Sequence, residues 1–513
     1  MNQPNPHTDI QRPGDYILPN IILVSHTGKS IEMKEMVIEM NIYESIYKNA
    51  VTGTLVILDT TNLIQNLPIQ GTERLVFKLS TPGTLNNSNL TIDATETTGN
   101  PFHIYKISDR QELKEGVESY LIHFCSREYF RNMRTKVSKA YNGELSTSAV
   151  QIYTDEQKLD GKKQLKIEPT RNQDKIVMPN IRPFDAINML ATKALSKNGK
   201  SAGYLFYETT KAFYFRSIEN MLATQSVFPR AEEIEVNYSP KNVGDGGGVR
   251  TLSNEYNLYN VDNYSFDQHF DTATNTMAGT YGSSVILHNL YDKSYNITSF
   301  NFHDSFHEEY HVDKVGQRGS QSNYPVSRTP ISLELTDDGS RQKAISDYPD
   351  SSVSLMPTTR YLHGENTGMF GTSLDSEGYT EARKISRTNQ SNNTNILRIE
   401  LPGHSYLEAG DVIKFNLPSQ EPGKGIQRGT MLDEYYSGRY IIAKLRHQVA
   451  KEGYSMILEC IKDSVSNAYG DEDVYPGVEQ KSPKIVDLYE DEQGRTSNTN
   501  QVNMGTRKSS FDI

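Results

Sequence analysis

The sequence predicts an α+β fold, mainly β, with two duplicated antiparallel β-barrel domains, a small α+β domain between them and a loop-rich insertion. Three observations carry this reading. Short β-prone runs are punctuated by Gly, Pro, Asn and Ser. Three strings recur later in the chain in the same order. One middle segment exchanges strand alternation for helical spacing.

The recurring strings set the plan. Asn49-Ala50-Val51-Thr52-Gly53-Thr54 returns as Asn275-Thr276-Met277-Ala278-Gly279-Thr280, each ahead of an aliphatic run. Gln70-Gly71-Thr72-Glu73, ahead of Leu75-Val76-Phe77, returns as Ala409-Gly410-Asp411 ahead of Val412-Ile413-Lys414-Phe415. Lys106, Gln111 and Lys114-Glu115-Gly116, before a strand ending at Cys125, return as Lys444, Gln448 and Lys451-Glu452-Gly453 before a strand ending at Cys460. The first interval (49 to 275) is shorter than the others (71 to 410, 106 to 444), so roughly a hundred residues split the second copy, enough for a small inserted domain. Two like β units in one chain present two like surfaces, which a ring-forming protein needs.

After an N-terminal arm, 1–13, residues 14–127 form the first barrel, with β-prone runs at 17–24, 36–47, 53–58, 74–79, 102–107 and 119–125. Gly116 supplies the positive φ of the last hairpin turn. Residues 128–235 read as the α+β domain. There Tyr129, Phe130, Met133, Val137 and Tyr141 fall at helical spacing from Arg127 to a stop at Gly143. A second helix starts near Pro183, which suits a first-turn position, and runs to Leu195. Tyr204-Leu205-Phe206-Tyr207 and Ala212-Phe213-Tyr214-Phe215 flank a polar turn as a hairpin. The glycine-rich stretch 242–248 reads as linker. The split second barrel occupies 236–311 and 395–466, and the insertion, 312–394, holds a helix near 376–387. The polar tail, 467–513, carries one β-prone island at Ile485, Val486, Leu488 and Tyr489, the candidate partner-binding residues, since such a tail can fold onto a partner.

Composition narrows the function classes. At 513 residues the chain exceeds a single core. A net charge of −11 argues against a protein that grips phosphates through clustered Lys and Arg, while leaving room for a conduit whose wall repels them. Two cysteines give no disulfide framework. No apolar run reaches membrane-spanning length, and Met1-Asn2-Gln3-Pro4-Asn5-Pro6 lacks the basic and apolar regions of a signal peptide, so a soluble chain not secreted by that route is expected.

The candidate chemistry is thin. His26-Thr27-Gly28-Lys29-Ser30 ends like a P-loop, but Leu23 stands where that motif needs its first Gly, and the flanks read as two strands. His303, His307 and His311 are spaced four apart and on a helix would share a face as metal ligands do, but the strand expected here would scatter them. His123 and Cys125 alternate on one strand, as a Cys/His pair would need, yet a thiol at the end of a core strand is usually a small hydrophobe. No catalytic residue, cofactor or metal is assigned.

Taken in order, the segments resemble a family. The first β domain, the Arg127–Tyr141 segment, the Pro183-Phe184 helix, the aromatic hairpin and a split β domain follow one another. That domain carries Leu407-Glu408-Ala409-Gly410-Asp411-Val412-Ile413 and Gly438-Arg439-Tyr440-Ile441-Ile442, with His447 beyond. This order is similar to that of the baseplate central hub proteins of T-even-like contractile-tailed phages. The two strings resemble those of tube-like domains in phage tail hubs and type VI spikes. The resemblance implies two tube-like barrels per chain and a homotrimer forming a pseudo-sixfold ring. Such a ring adapts a sixfold tail tube, or its initiator ring, to a threefold central spike. It also implies surrounding baseplate proteins as neighbours, a lumen through which DNA passes without specific binding, and no catalytic residues. The location it implies is the virion tail baseplate, after assembly in the host cytoplasm. A tail-tip cell-wall hydrolase and a carbohydrate-binding tail adhesin are the other readings.

Overall fold

A computed structural model describes residues 12–67, 69–82, 90–171, 173–197, 203–222, 234–238, 259–288, 293, 295–314, 323–326, 344–357, 374–393, 395–419, 432–467, 488–490 and 496–498. The chain divides into two compact units, Met1–Ala468 and Tyr469–Ile513. No described helix is long and apolar enough to cross a membrane.

The N-terminal strands are β1 (Ile21–Val24), β2 (Ser30–Glu32), β3 (Val37–Ser45), β4 (Thr52–Asp59), β5 (Arg74–Leu79), β6 (Ile92–Ala94), β7 (Phe102–Lys114) and β8 (Val117–Cys125). β1, β3, β4, β5, β7 and β8 fall on the expected β-prone runs, β7 extending beyond its run to Lys114, whereas β2 and β6 lie outside them. Burial alternates strictly along β4 and β5, placing Leu55, Ile57, Leu75, Phe77 and Leu79 in the core. Gly116, at φ +76°, turns β7 into β8.

The α+β domain follows, with β9 (Ala140–Glu144), β10 (Gln164–Ile167), β11 (Gln173–Val177), β12 (Tyr204–Glu208) and β13 (Ala212–Ser217). The Pro183–Lys193 helix begins on its proline and buries Phe184, Ile187 and Leu190. The aromatic hairpin forms with Phe206 opposite Phe215, and β10 joins it in parallel. The first helix stops at Arg134, short of the expected Tyr141. Val137 instead bridges to Ile181 and Tyr141 lies in β9 against Ile176, because tertiary pairing claims residues whose spacing also suits a helix. The Leu145–Thr154 helix, rich in Ser and Thr, gives little helical signal and is held by burial of Leu145, Ala149 and Ile152.

Beyond it run β14 (Ile234–Tyr238), β15 (Asn260–Val261), β16 (Asn263–Gln268), β17 (Gly282–His288), β18 (Tyr295–Asn301), β19 (Val353–Pro357), β20 (Asn395–Pro402), β21 (Val412–Asn416), β22 (Gly438–Ala450) and β23 (Gly453–Lys462). Strands β18, β17 and β19 make a separate three-stranded sheet covered by the Leu374–Asn393 helix, with Val285, Phe300, Phe302, Phe306 and Ala382 in its core. The repeat places residues 282–288 in the second barrel, and the structure does not. The shared glycines show why the string misleads. Gly53 lies in extended β4, where a Cβ would come within 2.1 Å of the Phe124 ring, whereas Gly279 takes a left-handed φ of +76° after a short helix. The linker glycines 242–248 lie outside the described residues.

The remaining strands join one 15-stranded sheet that runs along an open path, so two closed barrels are not found among the described residues. Within it two runs match strand for strand. β3, β4, β8, β7 and β5 are neighbours in that order, all antiparallel, and so are β16, β20, β23, β22 and β21. In the second run, residues 269–394 separate β16 from β20, the step that a short turn spans between β3 and β4. One apolar core, including Phe77, Phe124, Leu397, Phe415 and Leu458, serves both runs.

In the unit Tyr469–Ile513, β24 (Leu488–Glu490) and β25 (Thr496–Asn498) pair antiparallel, with Leu488 opposite Asn498 and Tyr489 opposite Ser497. Ile485 and Val486 lie outside the described residues.

Candidate assembly interface

The residues singled out for chemistry are placed apart. His303 contacts Ser346 Oγ (2.7 Å) and the Val326 carbonyl (3.0 Å). His307 contacts the Tyr324 hydroxyl at 2.9 Å. His311 contacts Asp463 at 3.1 Å and the Phe306 carbonyl at 2.7 Å, stacked on the Phe306 ring. Each ring thus serves a different contact, and no group of three His, Cys, Asp or Glu poised for a metal ion occurs among the described residues. Burial, then Glu208, pushes the Cys125 thiol up to about 12, which keeps it protonated and a poor nucleophile, while His123 turns to Ser108 at 2.8 Å. The Thr27–Lys29 segment is a turn between antiparallel β1 and β2.

A different constellation joins the two strand runs. Antiparallel β22 and β3 pair from Lys444 opposite Ser45 to Ala450 opposite Glu39. On the solvent side Arg446 donates to Asn41 (2.8 Å) and pairs with Glu39 (3.1 Å), and Lys444 pairs with Glu459 (2.6 Å). On the buried side Glu44 accepts the backbone N–H groups of Thr210 (2.7 Å) and Ala409 (2.9 Å). Burial, then the nearby Glu408, raises the Glu44 pKa. Glu408 in turn accepts from the Thr209 hydroxyl (2.7 Å) and the Tyr214 hydroxyl (2.8 Å) of the aromatic hairpin. His447 meets the Tyr454 hydroxyl at 2.6 Å, and burial, then Lys211 and His404, lowers its pKa to about 3, so it is neutral. Buried Glu208 accepts from Lys163 (2.5 Å) and the Val51 N–H (2.9 Å), tying the hairpin to the turn before β4. Burial raises the Glu208 pKa against the pull of Lys163.

The same sheet ends in edges. Only Phe102 and His103 of β7 pair with β5, and the remainder, 106–114, exposed from Asp109 onward, meets β8 alone among the described strands. Likewise β16 pairs only with β20 among them. Strand edges of this kind can accept a further strand. Of this seam, Glu408 and His447 stand in or beside the strings that carry the family resemblance, whereas Glu44, Glu208 and Arg446 give no signal in the sequence.

No protein-family model matches the chain. A curated relative from Vibrio phage KVP40, named "Probable baseplate hub protein gp334", is 20% identical over 432 residues, covering 83% of this chain and 90% of that protein. The resemblance to phage baseplate hub proteins is therefore met in sequence. Among solved structures, a tail protein of Neisseria meningitidis MC58 aligns at a TM-score of 0.46 with 9% identity, over 87% of this chain and 97% of that one. An E. coli type VI secretion component, described as structurally similar to T4 phage tail proteins gp27 and gp5, aligns at 0.36 with 10% identity, over 84% of this chain and 75% of that one.

Proposed function

We propose that this chain, similar in sequence to a phage baseplate hub protein, is a structural subunit of the central hub of a contractile-tail baseplate. The likeness to a baseplate hub protein over most of both chains carries the reading. Two strand runs of the same order, joined by the β3–β22 seam, support it further, because three copies would then offer six similar units. In this reading the chain forms a homotrimer whose pseudo-sixfold ring adapts the tail tube above to a threefold spike below, with other baseplate proteins around it. The role is architectural rather than enzymatic, and the place is the virion tail, assembled in the host cytoplasm. DNA passes the lumen without being gripped. The net charge of −11 suits such passage, since an acidic chain offers phosphate little attraction. The tail island of Ile485, Val486, Leu488 and Tyr489 is assigned to spike or neighbour attachment.

Native mass measurement of the purified chain tests the reading, and a trimer is expected. A monomer at all accessible concentrations, or digestion of cell-wall material by the purified protein, would overturn it, the latter in favour of the hydrolase.

A further inference from the structure

We infer that the exposed surface running from Met133 to Val177 on the α+β domain docks an acidic protein segment that carries apolar side chains. Such docking goes beyond the assembly proposed above and does not depend on how many copies assemble. Charge is divided unevenly along the chain. Residues 127–217 carry 17 Lys and Arg against 9 Asp and Glu, whereas the whole chain carries 53 against 64. The excess is densest at 131–139, where Arg131, Arg134, Lys136 and Lys139 occur with no acid between them. Tertiary contacts bring further parts onto this stretch. Val137 bridges Ile181, which sets Arg182 alongside, and Arg182 donates to Met133 Sδ at 3.2 Å. Lys158 reaches the Lys136 carbonyl at 2.6 Å. The Lys139 carbonyl accepts from the Met178 N–H, so Lys139 leads into the β9–β11 ribbon, where Val177 stands opposite Ala140.

Two properties separate this surface from an ordinary solvated face. Its cations lack counter-ions. Among the described residues Arg134, Lys136, Lys139, Lys158 and Arg182 enter no ion pair, and the contacts they make are to a carbonyl, a sulfur or the Tyr141 ring. Elsewhere in the chain cations are matched, as Arg110 is by Glu118 at 2.8 Å. Asp160, the acid beneath the first helix, is already held by Arg127 (2.6 Å) and Lys162 (2.9 Å). Glu156 and Asp185, exposed at the rim, pair with none of the five. The second property is apolar. Phe130 and Met133 lie one turn apart on the first helix with Arg134 on the same face, and Met133 is 45% exposed and Val177 67%. Phosphates of a nucleic acid would meet the cations and leave these groups in water. Carboxylates on a segment with apolar anchors satisfy both, the charges setting orientation and the anchors supplying buried area.

The test uses the full chain and, as probe, a fluorescein-labelled copolymer of Glu and Tyr followed by anisotropy. Arg134→Glu/Lys139→Glu reverses the patch, and Lys29→Glu/Lys48→Glu makes the same change in net charge at exposed positions elsewhere. Thermal melts establish that each variant folds. Affinity is expected to fall about tenfold in the patch variant and to stay within about twofold of the parent in the control. Met133→Ser should weaken binding by about threefold through lost apolar contact. Binding should also fade in about 1 M NaCl, where charges are screened beyond about 3 Å. No binding by the parent, or equal losses in the patch and control variants, overturns the dock. Tighter binding of a DNA duplex, or of vesicles containing phosphatidylglycerol, overturns it in favour of a phosphate-bearing partner. Polyglutamate bound as tightly as the copolymer overturns the apolar anchoring. None of these outcomes touches the hub reading, which native mass decides.

Discussion

Glu44 shows how much a single side chain can hold. It is 2% exposed, and it receives two backbone N–H groups from segments far along the chain. Glu44→Ala leaves both donors buried without an acceptor, so a loss of about 2 to 4 kcal/mol in urea unfolding is expected, with Glu44→Gln losing less because one amide oxygen remains. His447 makes the same seam sensitive to acid. Its folded pKa, about 3, lies below the ordinary 6.5, so between those values the unfolded chain binds a proton that the folded chain refuses. The stability it contributes is complete above pH 6.5 and is lost as pH falls toward 3, by up to about 1.4 kcal/mol for each pH unit. His447→Asn should flatten the decline of Tm between pH 6.5 and 5 relative to the parent. Neither role is legible locally, because Tyr43-Glu44-Ser45 looks like any polar strand end until the aromatic hairpin packs over it.

At the scale of elements, hairpins were the most legible feature. Local signals specify them completely: alternation on both sides of a turn, with glycine where φ must be positive, as at Gly116. Helices were less so, since Arg127–Arg134 ends where partners for Val137 and Tyr141 become available elsewhere. One residue was displaced in the cysteine comparison. Cys460 faces the core with Leu458 and Met456, as Phe124 does with Ile122 and Tyr120, whereas Cys125 lies on the opposite face from Phe124, outside that core. With a strand period of two, a slip of one position exchanges the faces. The Leu374–Asn393 helix depends on long-range ionic contacts. Arg387 donates to Asp463 (2.6 Å) and to the Tyr310 carbonyl (2.7 Å). Burial alone would raise Asp463, yet Arg387, then His311 and Val312, hold it well below the usual carboxylate range. Arg387→Ala removes the principal partner of a buried charge, and a loss of about 3 to 5 kcal/mol is expected. Hydrogen exchange should locate the loss first in this helix and in β17 and β18 beneath it.

At the scale of the molecule, residues 1–468 and 469–513 are separate compact units. Deleting 469–513 should leave the Tm and oligomeric state of the remainder unchanged while weakening attachment to the spike or to neighbours; an unfolded product would make the tail part of the core. The sequence alone determined the mainly β class, the aromatic hairpin, the presence of a large interruption and the likeness to baseplate hub proteins. All of these are written in turn residues, alternation and the order of segments, which depend on near neighbours or on collinearity. Only the tertiary structure decided that the two strand runs merge into one open sheet, that the 282–288 strand belongs to a sheet of its own, and that Glu44 and His447 lie buried at a seam between the runs. Those outcomes turn on which strand edges meet and which charges lose their water, and both are set by residues hundreds of positions apart.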